Sequence, residues 1–216
     1  HVDRIEAREL AAWRKLNLPR VALTVADTRL HASLSGTLST PYDLRGELDW
    51  RRPAAPDTVP QTAGRLRLEG TPRTLNVEHV LSSPAQLISE GELGYRDGQV
   101  HLDLAHRWPA QPLPVETPVP ARLGEGELTT RGTLDSVRLE GQTTLTADGR
   151  PLAVTLAGDA GLDGLTLDTL SLKNDGQSLT LSGRLDYQDG LAWDLDAQGQ
   201  HLDPATLVPG WPGDLT

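Results

Sequence analysis

Residues 177–199 read QSLTLSGRLDYQDGLAWDLDAQG, and this stretch decides the fold of the chain. Apolar residues and one glycine occupy every second position of 179–187, and 191–197 repeats the alternation after Asp189-Gly190. Strict period-two alternation predicts β-strands with one apolar face and one solvated face. An Asp-Gly pair between two such runs is a strong signal for a tight antiparallel hairpin.

The same pattern extends over most of the 216 residues. Asp97-Gly98, Asp148-Gly149 and Asp175-Gly176 also separate alternating runs, so neighbouring strands are expected to pair antiparallel and in chain order. The predicted strands are 21–26, 29–38, 42–50, 63–70, 73–81, 85–95, 99–107, 124–134, 136–147, 151–160, 165–172, 177–187 and 190–199. We therefore predict an all-β protein built on an elongated, curled antiparallel sheet, an open gutter with an apolar concave face.

The ends and breaks of the pattern give the domain organisation. Residues 1–20 are expected to form a lead-in segment, with a short helix or a strand over its first part, and 21–216 a continuous curled sheet. Proline-rich excursions are predicted at 51–60 and 108–120, as extended connectors that cannot join a central ladder. The second excursion could instead be a domain linker, although the two halves of the chain share one apolar character.

Glycine recurs on the apolar phase in a Leu-x-Gly-x-Leu pattern, for example at Leu34-Gly36-Leu38, Leu44-Gly46-Leu48 and Leu181-Gly183-Leu185. Glycine in a strand marks a bend or a close backbone approach. Repeated at one phase, it would allow a sheet to curl toward its apolar side. β-bulges in a sandwich are the alternative interpretation.

Composition excludes several function classes. A net charge of −10 argues against nucleic acid as a partner and against electrostatic docking on anionic lipid headgroups. No nucleophile elbow, phosphate loop or calcium-binding repeat is found, and His101 and His106, five residues apart, would point to opposite faces of a strand. The six histidines are interpreted as isolated surface residues. We expect no catalytic residue, no metal and no cofactor, although a carboxylate pair of a carbohydrate-active enzyme is an open alternative.

The leucine face is the remaining candidate site. A closed sandwich or barrel would bury it internally, a solenoid would stack it, and an open gutter would leave a trough for hydrocarbon. A sixteen-carbon acyl chain gains roughly 12 kcal/mol in such a trough, at ~0.8 kcal/mol per buried CH₂. The residues expected to line the groove are Leu34, Leu38, Leu44, Leu48, Leu139, Val154, Leu156, Leu181, Leu185, Trp193 and Leu195.

Two segments resemble a known family. The stretch 191–215 contains LAWDLDAQGQHLDPATLVPGWPGDL, which is similar to a segment of TamB proteins, members of the AsmA-like, bridge-like lipid transfer superfamily, where a W-x-L strand precedes "LDP" and "P-x-WPG-x-L". Leu18-Pro19 and 30–36 resemble openings in the same proteins.

The resemblance implies a "β-taco" with a hydrophobic groove, within an internal periplasmic fragment of an inner-membrane-anchored protein of a diderm bacterium. It also implies a non-catalytic conduit for phospholipid acyl chains between inner and outer membrane. Outer-membrane protein assembly is implied as well, with a TamA-type partner contacted outside this fragment. The rival expectation is a structural or chaperone β-domain with a closed leucine core.

Overall fold

A computed structural model of the chain describes residues 15–200, except 26, 38, 41, 55–59, 114–120, 148 and 189. The chain divides into two compact units, His1–Trp108 (unit 1) and Pro109–Thr216 (unit 2). Both are built from β-strands, and each is considered by itself.

Unit 1 is an antiparallel meander in which each described strand pairs with the next along the chain. Its strands are β1 (Lys15–Val25), β2 (Thr28–Thr37), β3 (Leu44–Arg52), β4 (Thr62–Thr71), β5 (Thr74–Ser83), β6 (Leu87–Arg96) and β7 (Gln99–Trp108). No pairing between β1 and β7 is found in the described residues, so this sheet is open, not closed into a barrel.

Unit 2 repeats this arrangement. Its strands are β8 (Gln111–Pro112), β9 (Ala121–Thr133), β10 (Ser136–Ala147), β11 (Arg150–Gly161), β12 (Gly164–Asn174), β13 (Gln177–Asp186) and β14 (Ala192–Gln200). β9 to β14 pair in chain order, and the two-residue β8 pairs with β9 beside this path. The predicted all-β class and the open antiparallel arrangement are confirmed, whereas the concave shape of the apolar face stays a prediction.

The turns have the backbone conformation that their sequence requires. Asp97 and Gly98 both have positive φ, 53° and 82°, and Asp175 and Gly176 have φ of 32° and 88°. Positive φ at both central residues is the signature of a type I′ turn, whose twist matches that of the strands on either side. These pairs join β6 to β7 and β12 to β13 directly.

Two segments differ in detail from their sequence-based description. Of the lead-in segment, residues 1–14 lie outside the described part, while Lys15–Asn17 take the strand alternative because Leu16 continues the period-two pattern of β1 opposite Gly36. Within the second proline-rich excursion, Gln111 and Pro112 form β8. Proline is tolerated there because β8 lies off the main path and pairs only with β9 in the described part.

A glycine on the apolar phase marks a close approach of β6 and β7. Gly91 has φ of +153°, and a Cβ atom added to it would lie 2.0 Å from the carbonyl oxygen of Asp103. Only a residue without a side chain fits there. The close backbone approach expected from the repeated glycines is therefore present at this position, and the curl of the sheet stays a prediction.

Candidate functional site

The leucines of unit 1 share one face through the strand register. Residues directly opposite each other in an antiparallel pair project to the same side, so the pairings can be followed from strand to strand. One such row runs from Leu34 through Gly46, Leu68, Val77 and Gly91 to Leu104. We call the side that carries this row the apolar face of unit 1.

Unit 2 has an equivalent apolar face. Leu139 lies opposite Gly158 and Thr130, and on the same two neighbouring strands Gly141 lies opposite Leu156 and Leu128. The face continues over the next three strands through the pairs Leu156–Leu170, Leu170–Leu181, Gly183–Leu195 and Leu185–Trp193. The register thus joins side chains from six strands, β9 to β14, on one side of the sheet.

Within each unit, no second layer of described strands or helices covers the apolar face. Among the described residues of the apolar faces, Val77, Leu152 and Leu167 are buried, at 6% exposure, and Ala63, at 8%, is buried on the other side of unit 1, opposite Arg51. The other described leucines on the apolar faces are half-buried, as Leu48 and Leu181 are, and most of the charged residues between them are exposed. A closed sandwich core contains fully buried large side chains, and none is found in the described part of this chain.

The structure places the predicted groove residues as follows. Leu34, Leu44 and Leu48 lie on the apolar face of unit 1, and Leu38 lies outside the described residues. Seven others share the apolar face of unit 2: Leu139, Val154, Leu156, Leu181, Leu185, Trp193 and Leu195. Trp193 is 73% exposed. Their role in binding lipid stays a prediction.

The opposite face of unit 1 carries several cross-strand ion pairs. Arg65 Nε lies 2.6 Å from Asp49 Oδ1, and Arg45 Nη2 lies 2.8 Å from Glu69 Oε1. The hydrogen bond and the charge of Asp49 raise the pKa of Arg65. Cross-strand pairs of opposite charge support the register of the strands. In unit 2, Arg138 of β10 has the same role, contacting Asp159 on the adjacent β11 and Asp168 on β12.

Three polar residues cross the apolar face of unit 1, and the sequence interpretation missed them. His79 of β5 lies opposite Ser89 of β6, which lies opposite His106 of β7. The two imidazole Nδ1 atoms lie 3.3 Å and 2.8 Å from the Ser89 hydroxyl oxygen. We call these three residues the histidine row. The interpretation of all six histidines as isolated surface residues is therefore wrong for His79 and His106.

An aromatic ring flanks the histidine row. The indole of Trp50 stacks on the imidazole of His79, with ring centroids 5.3 Å apart and planes within 8°. Gly64 makes room for it, since a Cβ atom there would come within 2.3 Å of the indole. Burial lowers the pKa of His79, and burial followed by the charge of His79 lowers the pKa of His106. Both shifts favour the neutral imidazole.

A sequence signal for the row did exist. His79 is in phase with Leu75 and Val77, and His106 with Leu102 and Leu104, so both belong to the apolar side of their strands. The alternation within one strand does not show which residues of neighbouring strands lie opposite each other. His79 and His106 lie 10 and 17 residues from Ser89 along the chain, so their contact with Ser89 depends on that register.

The described residues contain no group of three or more side chains suited to hold a metal ion. Nor does any helix among them have the length and apolar character needed to cross a membrane. The site is thus an extended apolar face with one polar row.

The model of one protein family matches this chain from end to end. It is described as "TamB, N-terminal domain" and covers residues 1–216. The chain belongs to the TamB family. Membership of the TamB family suggests a role in the translocation and assembly module and a periplasmic, membrane-anchored protein, and the family is generally non-catalytic. Comparison of this TamB-family chain with curated proteins and with solved structures gives no match.

Proposed function

We propose that the apolar faces bind phospholipid acyl chains. The chain would then act as a non-catalytic periplasmic conduit, part of a bridge from inner to outer membrane for phospholipid transport and outer-membrane protein assembly. The observation that carries this proposal is the leucine register, which is continuous from strand to strand within each unit and has no covering layer in the described residues. Membership of the TamB family supports it, and a TamA-type outer-membrane protein is the partner we propose for the longer protein.

The energetics of an uncovered leucine face favour a hydrocarbon ligand. Half-buried leucines such as Leu156 and Leu181 still expose apolar surface to water, and covering it is worth about 25 cal/mol per Å². A flexible acyl chain can cover such surface without specific polar contacts. The rival closed leucine core would require large apolar side chains that are fully buried, and none occurs in the part of the chain that the structure describes.

A charge placed on the face tests this proposal in the full-length protein. We expect Leu181→Asp to leave expression near normal but to disable the envelope function, because an open wall lets the new carboxylate reach water. A dry core would instead lose several kcal/mol of stability. The matched control is Thr180→Asp on the same strand, since Thr180 lies opposite Ser171 on the polar side.

Photo-crosslinking gives a direct readout of the occupant. A crosslinker at position 181 or 156 should capture phospholipid, and one at position 180 or 138 should not, because Thr180 and Arg138 have the opposite phase. Unfolding of Leu181→Asp, together with no lipid adduct at either apolar position, would favour the closed structural core and contradict the proposal.

A further inference from the structure

Four arginines on the side of unit 1 opposite its leucines line one cleft. The cleft has a volume of about 570 Å³, and its arginines are Arg29 of β2, Arg51 of β3, and Arg65 and Arg67 of β4. Among the described residues, the carboxylates that line it are those of Asp49 and Glu78. Arginines are thus in excess in this lining, although the net charge of the whole chain is −10.

Two of the four arginines already pair with the carboxylates of the cleft. Arg65 Nε lies 2.6 Å from Asp49 Oδ1, and Arg67 Nη1 lies 3.7 Å from Glu78 Oε2. These ion pairs occupy both acids of the lining. The positive charge that they leave without a partner in the cleft is therefore that of the other two arginines, on β2 and β3.

Those two arginines, Arg29 and Arg51, lie directly opposite each other in the pairing of β2 with β3. Side chains so placed have Cβ atoms about 5 Å apart, and like charges at such positions destabilise a sheet. Both side chains are exposed, and neither guanidinium has an ion pair or a hydrogen bond among the described residues. An arrangement that weakens the empty sheet becomes favourable once an anion lies between the two guanidiniums.

We propose that Arg29 and Arg51 bind the doubly charged phosphate group of a small phosphate monoester. A guanidinium presents a planar fork of N–H donors that makes two parallel hydrogen bonds to anionic oxygens. A carboxylate has two oxygens and one charge, which match one fork. A phosphate monoester has three terminal oxygens and nearly two charges at neutral pH, which match both forks. The site is on the side opposite the leucines, so it does not rest on the function proposed above.

The rest of the cleft has room for the organic part of the ester. Pockets for small molecules have volumes of about 300–1,000 Å³, and this cleft is within that range. Its lining also includes His31, Val80 and Ser82. The Ser82 hydroxyl donates to the carbonyl oxygen of Ala63, so its own oxygen can accept a hydrogen bond from a ligand. Free phosphate would leave these residues without a contact, whereas an ester with a polar organic group would reach them.

The test is titration calorimetry on the purified full chain at low salt and about pH 8, where a phosphate monoester carries two charges. The probes are glucose 6-phosphate, inorganic phosphate, the singly charged dimethyl phosphate, and acetate. We expect glucose 6-phosphate to bind about tenfold more tightly than dimethyl phosphate or acetate, because each of these has one charge for two guanidiniums.

Single arginine variants locate the binding site. Arg29→Gln and Arg51→Gln should each weaken the binding of glucose 6-phosphate by about tenfold. The matched control is Arg45→Gln, which removes a charge from the same side of β3 but outside this cleft, where Arg45 pairs with Glu69 at 2.8 Å. An equal loss of affinity in Arg45→Gln would show that only the total charge matters, and it would overturn the site.

The four probes also decide which part of the proposal holds. Inorganic phosphate that binds as tightly as glucose 6-phosphate overturns the ester assignment in favour of free phosphate. Dimethyl phosphate or acetate that binds as tightly overturns the assignment of a doubly charged ligand. Binding of none of the four probes overturns the site itself.

Urea unfolding separates a binding role of Arg29 from a structural one. Without ligand, Arg29→Gln should be at least as stable as the wild type, because it removes one of two like charges that lie opposite each other. Saturating glucose 6-phosphate should raise the urea midpoint of the wild type but not that of Arg29→Gln. A ligand-free Arg29→Gln that is less stable than the wild type, with the same midpoint shift on adding the ester, would assign Arg29 a structural role and overturn the proposal.

Discussion

Gly91 is where a single methyl group should disturb the sheet most. A Cβ atom at this position would lie 2.0 Å from Asp103 O and 2.9 Å from Leu104 Cα, whereas real Cβ atoms essentially never come within 3.0 Å of such atoms. Both contacts are with the backbone of β7, so no side-chain rotation can relieve them. Alanine therefore requires β7 to move away from β6.

The cost can be worked from the geometry. An L-residue at φ of +153° carries roughly 1–3 kcal/mol of backbone strain. Moving β7 weakens ladder hydrogen bonds on either side of Gly91, at about 1 kcal/mol each. We therefore expect Gly91→Ala to lower the free energy of unfolding by about 3–5 kcal/mol, a large share of the stability of a small domain.

Two other glycines provide matched controls. Gly46 lies on the same face, but a Cβ atom there meets nothing closer than 3.7 Å, so Gly46→Ala should be neutral or stabilise by up to ~1 kcal/mol. Gly98 has φ of +82°, and a Cβ atom there would meet nothing within 4 Å. Gly98→Ala therefore measures the cost of positive φ alone, which we expect to be about 1–2 kcal/mol. Urea unfolding followed by circular dichroism measures all three. A Gly91→Ala variant as stable as Gly46→Ala would refute the close approach of β6 and β7.

Two further predictions concern charge. Because burial lowers the pKa of His79 and His106, the unfolded chain binds more protons than the folded chain just below pH ~6.5, so the free energy of unfolding should fall as the pH drops through that range. Urea midpoints should show a weaker fall in His79→Leu/His106→Leu than in His101→Leu, and equal slopes would contradict the assignment. Arg138→Met leaves Glu140, Asp159 and Asp168 without their shared cation, so it should lower the urea midpoint at low salt. The difference in urea midpoint between the wild type and Arg138→Met should be smaller in about 0.5 M NaCl, because salt screens the ion pairs. A midpoint difference that does not depend on salt would show that the ion pairs do not contribute to stability.

The strands could be predicted from the sequence because their local signals agree with one another. Alternation predicted a strand over 136–147, and β10 is Ser136–Ala147. The Asp-Gly pairs predicted the hairpins because two adjacent residues of positive φ admit few other residue types. Period and turn chemistry both act over a few residues, so no knowledge of distant neighbours was needed.

Register-dependent features could not be predicted in the same way. Whether His79 and His106 meet at Ser89 depends on two hairpin registers, and a shift of one residue in either would separate them. The same holds for β8, because the pairing of Pro112 with Arg122 depends on where the chain returns after a break. Each is a relation between strands, and a pattern within one strand does not contain it.

The net charge of the chain did not predict the charge on its apolar face. A total of −10 argued against nucleic acid and against electrostatic docking on anionic lipid headgroups, yet the acids in the strands of unit 1 lie on one side. Screening confines the influence of an exposed charge to about 10 Å at ordinary ionic strength, so a ligand responds to the face that it touches. Alternation places acids on one phase and leucines on the other, and therefore also separates the charge. In unit 1, the leucine phase that carries His79 and Arg52 therefore has no carboxylate on its face of the described strands.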